Sequence, residues 1–219
     1  TQLMGIVPVK GNSIIPLRPA IIWLDARASK QATQLMRKFV SPRVFAAISG
    51  SELTGKDGLP KLLWLKENEP ELYKEMDCFL DVNGYLTYRE TGKKVMEWSC
   101  ASAFGFDPTK KDWLRGVIKY IGLDQSKFPS LARAVDKIGG LTKEAAEETG
   151  LLEGTPVFGG MGDVMSTAVG SGAVDEGDGH IYLGTSGWIG VTTKKVFTGK
   201  NGIVCMQAAD PLNVLLMAE

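Results

Sequence analysis

Pro156-Val157-Phe158-Gly159-Gly160-Met161-Gly162-Asp163 is the stretch from which the rest of the chain can be read. It runs from a short apolar segment of strand character, through a turn of three glycines, to an acid. The small residues over 164–170 behind it suit a helix. Glycines let backbone approach a ligand closely, and the partial positive charge at a helix start favours a carboxylate there. So placed, Asp163 can take a hydroxyl proton as a general base. The plain alternative is an N-cap, for which aspartate is a favoured residue, and the two roles are compatible.

After that helix comes Leu183-Gly184-Thr185-Ser186-Gly187, the turn of an expected hairpin over 181–191. Gly184, Thr185, Ser186 and Gly187 can offer N–H groups and a hydroxyl to a phosphate as a backbone nest. An ordinary hairpin turn is the alternative. No lysine follows, so this is not a Walker loop. Strand, glycine turn, acid, helix, strand and Gly-Thr turn in that order belong to an α/β protein. The glycine-rich change of character near Val174 places a domain boundary there, giving 1–173 and 174–219.

Working towards the N-terminus, Gly11-Asn12 between 6–9 and 14–15 predicts a hairpin. The apolar run 20–24 predicts a buried strand that ends on Asp25-Ala26-Arg27, the kind of strand end where α/β proteins place functional side chains. Helices are expected over 28–39, from Ser41-Pro42 onward, over 61–68, 70–76 and 112–121, and after Thr142 as N-cap up to Gly150. A loop is expected over 50–60, a strand over 78–82 and a helical turn over 85–90. Trp23, Asp25 and Arg27 pair an aromatic plate with charged groups able to hydrogen-bond vicinal hydroxyls, against the alternative of a core tryptophan and a surface ion pair. Trp64, Trp98 and Trp113 read as packing. Gly55 stands in a loop that can border a cleft.

The bulk numbers exclude more than they assert. Of 219 residues, 44% are hydrophobic and 23% charged, as in an ordinary globular protein. The 25 basic residues balance the 25 acidic ones, so no net field draws in nucleic acid or anionic lipid. The three cysteines, Cys78, Cys100 and Cys205, give neither a disulfide framework nor a zinc site. The one histidine, His180, argues against a histidine-based triad and reads as structural or exposed. No apolar run reaches the roughly 20 residues that span a bilayer, and no signal peptide opens the chain, so a cytoplasmic location is expected. The chain opens on Thr1-Gln2-Leu3-Met4 and stops in the apolar run Leu215-Leu216-Met217-Ala218-Glu219, which predicts a fragment.

Taken together, the Asp163 turn and the Gly184–Gly187 turn resemble the catalytic acid and second phosphate loop of FGGY carbohydrate kinases. Further segments agree in order. Ile22-Trp23-Leu24-Asp25-Ala26-Arg27 is similar to the family's tryptophan–x–aspartate–x–arginine segment. Lys61-Leu62-Leu63-Trp64-Leu65-Lys66-Glu67-Asn68 resembles the core of its first signature, and Tyr85-Leu86-Thr87-Tyr88-Arg89-Glu90-Thr91-Gly92 the helix after it. The likeness covers essentially the whole chain and points to the xylulokinase-like branch.

This resemblance implies an actin-like, ribonuclease H-like two-domain α/β fold, with 1–173 as the C-terminal part of the sugar-binding domain and 174–219 as the start of the ATP-binding domain. It implies in-line phosphoryl transfer from ATP with Mg2+ to a sugar hydroxyl, of a ketopentose such as xylulose. Asp163 is then the base, Leu3, Met4, Trp23, Asp25, Arg27 and Val164 line the sugar, and Gly184, Thr185, Ser186 and Gly187 hold phosphates. The partner is a small sugar or polyol, with no nucleic acid or membrane, and a homodimer is the oligomer to look for. Two departures stand out. Leu3-Met4 replaces methionine-histidine, and Val164 replaces an asparagine, so two polar groups near the sugar are missing. The first phosphate loop and the adenosine site are absent from the chain, so activity from these residues alone is not expected. The rival reading is a non-catalytic sugar-binding or regulatory relative.

Overall fold

A computed structural model describes residues 1–39, 44, 53–184, 187–197 and 203–218. The helix expected from Ser41-Pro42 and most of the 50–60 loop before Leu53 lie outside the described residues. Among the described residues, five small sheets carry the strands, four of them two-stranded and one four-stranded, and helices alternate with the strands along the chain.

Val7–Val9 is an antiparallel partner of Cys78–Leu80, and all six residues are buried. The hairpin expected between 6–9 and 14–15 does not form. Tyr85 and Tyr88 donate their hydroxyls to the carbonyls of Ile14 (2.8 Å) and Ser13 (3.2 Å), which holds that loop open along their helix. Ile15 is left 73% exposed. The expected strand over 20–24 shrinks to one bridge, Ile21 to Ile6, with Ile21 buried and Ile22 and Leu24 exposed.

Helix Ser29–Lys38 agrees with its expectation to within a residue at each end. Helix Gly58–Asn68 starts three residues earlier than 61–68 suggests, because Pro60 is tolerated in a first helical turn. The strand expected over 78–82 stops at Leu80, since Asp81 turns the chain and caps helix Val82–Thr91. The 112–121 helix is shortened to Arg115–Tyr120. Asp112–Trp113 pairs instead with Phe106–Asp107, and the Trp113 indole donates to Pro129 O at 2.9 Å. Thr142 caps helix Lys143–Thr149 as expected, accepting from Ala145 N, and Gly150 closes it at φ +74°.

Helix Asp163–Gly170 and the sheet of strands Val204–Gln207, Val214–Ala218, Gly187–Thr193 and Gly179–Leu183, in that spatial order, form the C-terminal part of the described chain. The hairpin expected over 181–191 is present as the last two strands, in the register Ile189 to Ile181. One apolar cluster runs from Ile6, Phe79 and Phe104 through Val164, Met165 and Ala168 to Met206 and Leu215. Thr192 Oγ1 donates to Ala173 O at 2.8 Å, and Asn213 Nδ2 to Val174 O at 3.2 Å, fixing the sheet to the end of that helix. Among the described residues no helix is long and apolar enough to cross a membrane.

Candidate functional site

The glycine turn before Asp163 is tightly constrained. A Cβ on Gly159 would stand 2.3 Å from Arg133 O, and one on Gly162 would stand 2.4 Å from Leu3 Cδ2, so neither position admits a larger residue without movement. Gly160 has φ +67°, the left-handed region that favours glycine. The turn thus delivers a backbone with no side chains of its own at its tightest points, followed at once by an acid.

Asp163 is not the N-cap. Gly162 holds that position, without a side-chain cap, and Asp163 is the first helical residue. Its carboxylate is exposed and accepts a hydrogen bond from Val164 N at 3.0 Å. An exposed carboxylate so placed at the positive end of a helix suits a proton acceptor better than a structural cap. The Asp163 N–H donates to Thr1 O at 2.8 Å, so the first residues of the chain lie directly against the turn.

Leu3 lies against the same turn, beneath Gly162. It is buried at 8% exposure, and Val164, at 7%, belongs to the same apolar cluster. Leu3 and Val164, placed at the sugar by resemblance, thus present little surface beyond that cluster. Met4 is half-buried and has φ +61°, a conformation that costs a non-glycine residue on the order of 1 kcal/mol or more.

Lys61 explains how Met4 is held. Its side chain is fully buried, and Nζ donates to Met4 O at 3.0 Å and to Ile22 O at 2.9 Å. Burial pushes its pKa down to about 8, opposed by the nearby Asp25 and Asp57 charges. A buried cation in a helix's first turn sits at the wrong end of the helix dipole, so its position is bound by these two carbonyls. The segment 22–27 is thereby tied to the segment 1–4.

Trp23 and Asp25 are half-buried, and Arg27 is exposed. The Arg27 guanidinium donates to Asp25 Oδ2 at 2.6 and 2.8 Å, and the Arg27 N–H to Oδ1 at 2.9 Å. These bonds hold the Asp25 carboxyl below its ordinary pKa, against the opposing effect of burial. Arg27 also lies over the Trp64 ring at 4.8 Å, and Lys56 over Trp23 at 5.7 Å. Trp64, read from sequence as packing, does pack against the main apolar cluster and also forms the plate beneath Arg27. Gly55 packs against this segment, since a Cβ there would fall 2.5 Å from Ala26 O.

Gly184 and Gly187 sit at the hairpin end, with Tyr182 stacked on Trp188 at 3.9 Å below them. Thr185 and Ser186 lie outside the described residues. His180 is buried and structural, its Nε2 accepting from the Trp188 indole at 3.3 Å, and burial lowers its pKa. Trp113 is core, as expected. The three cysteines are free and buried, and burial pushes the Cys78 thiol up to about 12.

Sequence reasoning assigned no role to Lys61, nor to four residues behind the glycine turn. Asn83 Nδ2 donates to Gly159 O at 2.6 Å, and Gly162 N donates to Ser99 Oγ at 3.2 Å. Asn83 and Ser99 each follow a buried acid, Asp81 and Glu97, by two residues. The available signal was an acid two residues before an asparagine or serine at a helix start, a common capping pattern, and a lone lysine among Leu59, Pro60, Leu62 and Leu63.

Comparison with known proteins places the chain among its relatives. Residues 1–170 match the sequence profile of the FGGY family of carbohydrate kinases, N-terminal domain. The xylulose kinase of Bacillus subtilis (strain 168) is 36% identical over 189 residues, which are 86% of this chain and 37% of that protein. The xylulose kinase of Escherichia coli (strain K12) is 34% identical over 172 residues, 78% of this chain and 35% of that protein. The crystal structure of xylulose kinase from Rhodospirillum rubrum superposes with a TM-score of 0.89 at 25% identity, covering 99% of this chain and 44% of that one. The chain spans less than half the length of each of these relatives.

Proposed function

This chain belongs to the FGGY family of carbohydrate kinases and has its actin-like, ribonuclease H-like fold, and on that premise we propose that it supplies the sugar side of an ATP-dependent kinase acting on a ketopentose such as xylulose. The observation that carries the reading is the exposed Asp163 carboxylate at a helix start, with the 1–4 segment packed against its turn. The 22–27 segment is tied to that same 1–4 segment through Lys61.

Asp163 takes the proton of the sugar hydroxyl as its oxygen attacks the γ-phosphorus. The bond to the β-phosphate oxygen breaks and ADP leaves. Met4 is proposed to give the pocket an apolar side, with Leu3 and Val164 backing it from the apolar cluster, and Trp23, Asp25 and Arg27 to give it a plate and hydrogen-bonding groups. Gly184, Thr185, Ser186 and Gly187 are the proposed seat of the outer phosphates. Among the described residues no group of three His, Cys, Asp or Glu side chains is arranged to hold a metal ion. Mg2+ is proposed to come bound to ATP's phosphates, whose charge it would offset.

In the proposed whole protein, 1–173 is sugar-binding domain and 174–219 opens the ATP-binding domain, which completes the nucleotide site. The enzyme is proposed to work in the cytoplasm on a small sugar, with neither nucleic acid nor membrane as partner, and as a monomer or homodimer. The test is ADP release by the full-length protein across a panel of ketoses, aldoses and polyols. Sugar-dependent release with a ketopentose among the best substrates supports the reading. Release that no sugar stimulates overturns it and favours a non-catalytic relative.

A further inference from the structure

Behind the glycine turn lie two local motifs built alike, both in the protein interior. In the first, Asp81 is fully buried and caps helix Val82–Thr91, accepting from Gly84 N at 2.9 Å and Asn83 N at 3.2 Å. The capped turn aims Asn83 at Gly159 O, to which its amide donates at 2.6 Å. In the second, Glu97 is 2% exposed and caps helix Trp98–Ala101. It accepts from Ser99 N at 2.8 Å, from Cys100 N at 3.3 Å and from the Ser99 hydroxyl. With its proton given to Glu97, the Ser99 oxygen is free to accept, and it takes the N–H of Gly162 at 3.2 Å.

The two motifs grip opposite ends of one short turn. Asn83 holds the carbonyl of its first glycine, and Ser99 holds the amide of its last, the residue immediately before Asp163. Gly162 has no side-chain cap of its own, and its carbonyl is occupied by Ser166 N at 2.9 Å and Ser166 Oγ at 3.0 Å. Both faces of the Gly162 residue are therefore fixed by neighbours. Three glycines in four positions leave the backbone free to wander unless something outside it sets the peptide planes. Buried carboxylates are costly and persist where their bonds are well made. Stability of the two small helices alone does not require an asparagine or a serine at the second position after the acid.

We propose that Asn83 and Ser99, each fixed by its buried acid, are positioning residues that set the orientation of the Asp163 carboxylate towards the acceptor hydroxyl. This rests on the reading of Asp163 as the base, and it adds four residues that do not touch the substrate. A small rotation of the Gly162 peptide plane moves the first helical residue, and misplacing a reacting group by about 1 Å can cost on the order of a hundredfold in rate.

The decisive pair is Ser99→Thr against Ser99→Val in the full-length protein. Both add the same bulk at a fully buried site, so packing damage is common to the two, and only threonine keeps the hydroxyl. The expected result is that Ser99→Thr keeps most of kcat, while Ser99→Val loses about tenfold or more with KM for ATP close to that of Ser99→Thr. Both are assayed well below the unfolding midpoint of Ser99→Val, which falls because Glu97 and the Gly162 amide lose a buried partner. Asn83→Ala, at a half-buried position, is the second variant and is expected to lower kcat with KM for ATP unchanged. If neither Ser99 variant folds, Asn83→Ala alone decides. Equal kcat in the serine pair, or wild-type kcat in Asn83→Ala, overturns the proposal. Asp163→Ala run alongside separates the two ideas. If it retains turnover, the base assignment fails; if it is inactive while the serine pair is indistinguishable, only the positioning role fails.

Discussion

Glu97→Gln should remove a pH dependence from the stability of the protein. Glu97 is enclosed at 2% exposure, and burial is the main cause that pushes its pKa from 4.5 up to about 7, with the nearby Asp81 charge adding to it and the bonds from Ser99 and Cys100 opposing. The folded state therefore holds the proton more tightly than the unfolded chain. Between pH 4.5 and about 7 the unfolded chain has lost this proton while the folded one retains it, so stability falls as pH rises through that window and is level above it. At 1.36 kcal/mol per pH unit, the rise corresponds to about 3 kcal/mol. Glutamine has no proton to lose, and its amide oxygen can still accept from Ser99 and Cys100. The assay is urea unfolding of the full-length protein and of Glu97→Gln across that range, read as the difference between the two so that other groups largely cancel. The wild type should lose about 3 kcal/mol more than the variant on going from the acid end to neutrality. Parallel curves would mean that Glu97 does not titrate in that window and that the enclosed network is misread.

Lys61→Met leaves the carbonyls of Met4 and Ile22 without their donor, and unfolding measurements should show a loss on the order of 2 kcal/mol, with KM for the sugar rising more than KM for ATP. Because the Lys61 pKa is lowered from 10.5 to about 8, the unfolded chain keeps its proton through a window where the folded state has lost it. The wild type should therefore gain stability relative to Lys61→Met as pH rises from about 8 to 10.5, and a difference flat across that range contradicts the assignment. Met4→His should be tolerated, since histidine accepts the left-handed region better than methionine, and should raise kcat/KM for D-xylulose relative to a competing polyol; an unchanged ratio removes position 4 from the sugar contacts. Val164→Asn places an amide in the apolar cluster and should cost about 1–3 kcal/mol in unfolding free energy, whereas a neutral effect would show that the position faces the pocket.

What could be read from the residues was what depends on local chemistry. Three glycines before an acid and a small-residue helix gave the Asp163 turn, and Thr142 with Gly150 bracketed a helix that the structure contains with those caps. The failures come from partners far away in sequence. Gly11-Asn12 is a sound hairpin signal, but Val7–Val9 finds a better partner in Cys78–Leu80, and two tyrosine hydroxyls occupy the carbonyls its local partner would use. The stripe from Trp113 to Ile121 has helical spacing, yet Trp113 is drawn into a strand pair with Phe106 and packs against Phe128. For Lys61, Asn83 and Ser99 the local pattern marked a capping acid or an out-of-place lysine but not what they bind. Their meaning lies in carbonyls and amides 39 to 76 residues away, and no local pattern records those distances. Asp163 itself was half-read, since helix-start chemistry suggested a cap and the structure gives that place to Gly162.

The central claim, that Asp163 is the base of a sugar kinase, is met most directly by single-turnover measurement of phosphoryl transfer to D-xylulose in the full-length protein and its Asp163→Ala variant, with ATP affinity measured in parallel. The account predicts a fall of about 10²- to 10⁴-fold in the transfer rate and little change in ATP affinity. Transfer within a few-fold of wild type in the variant would contradict it.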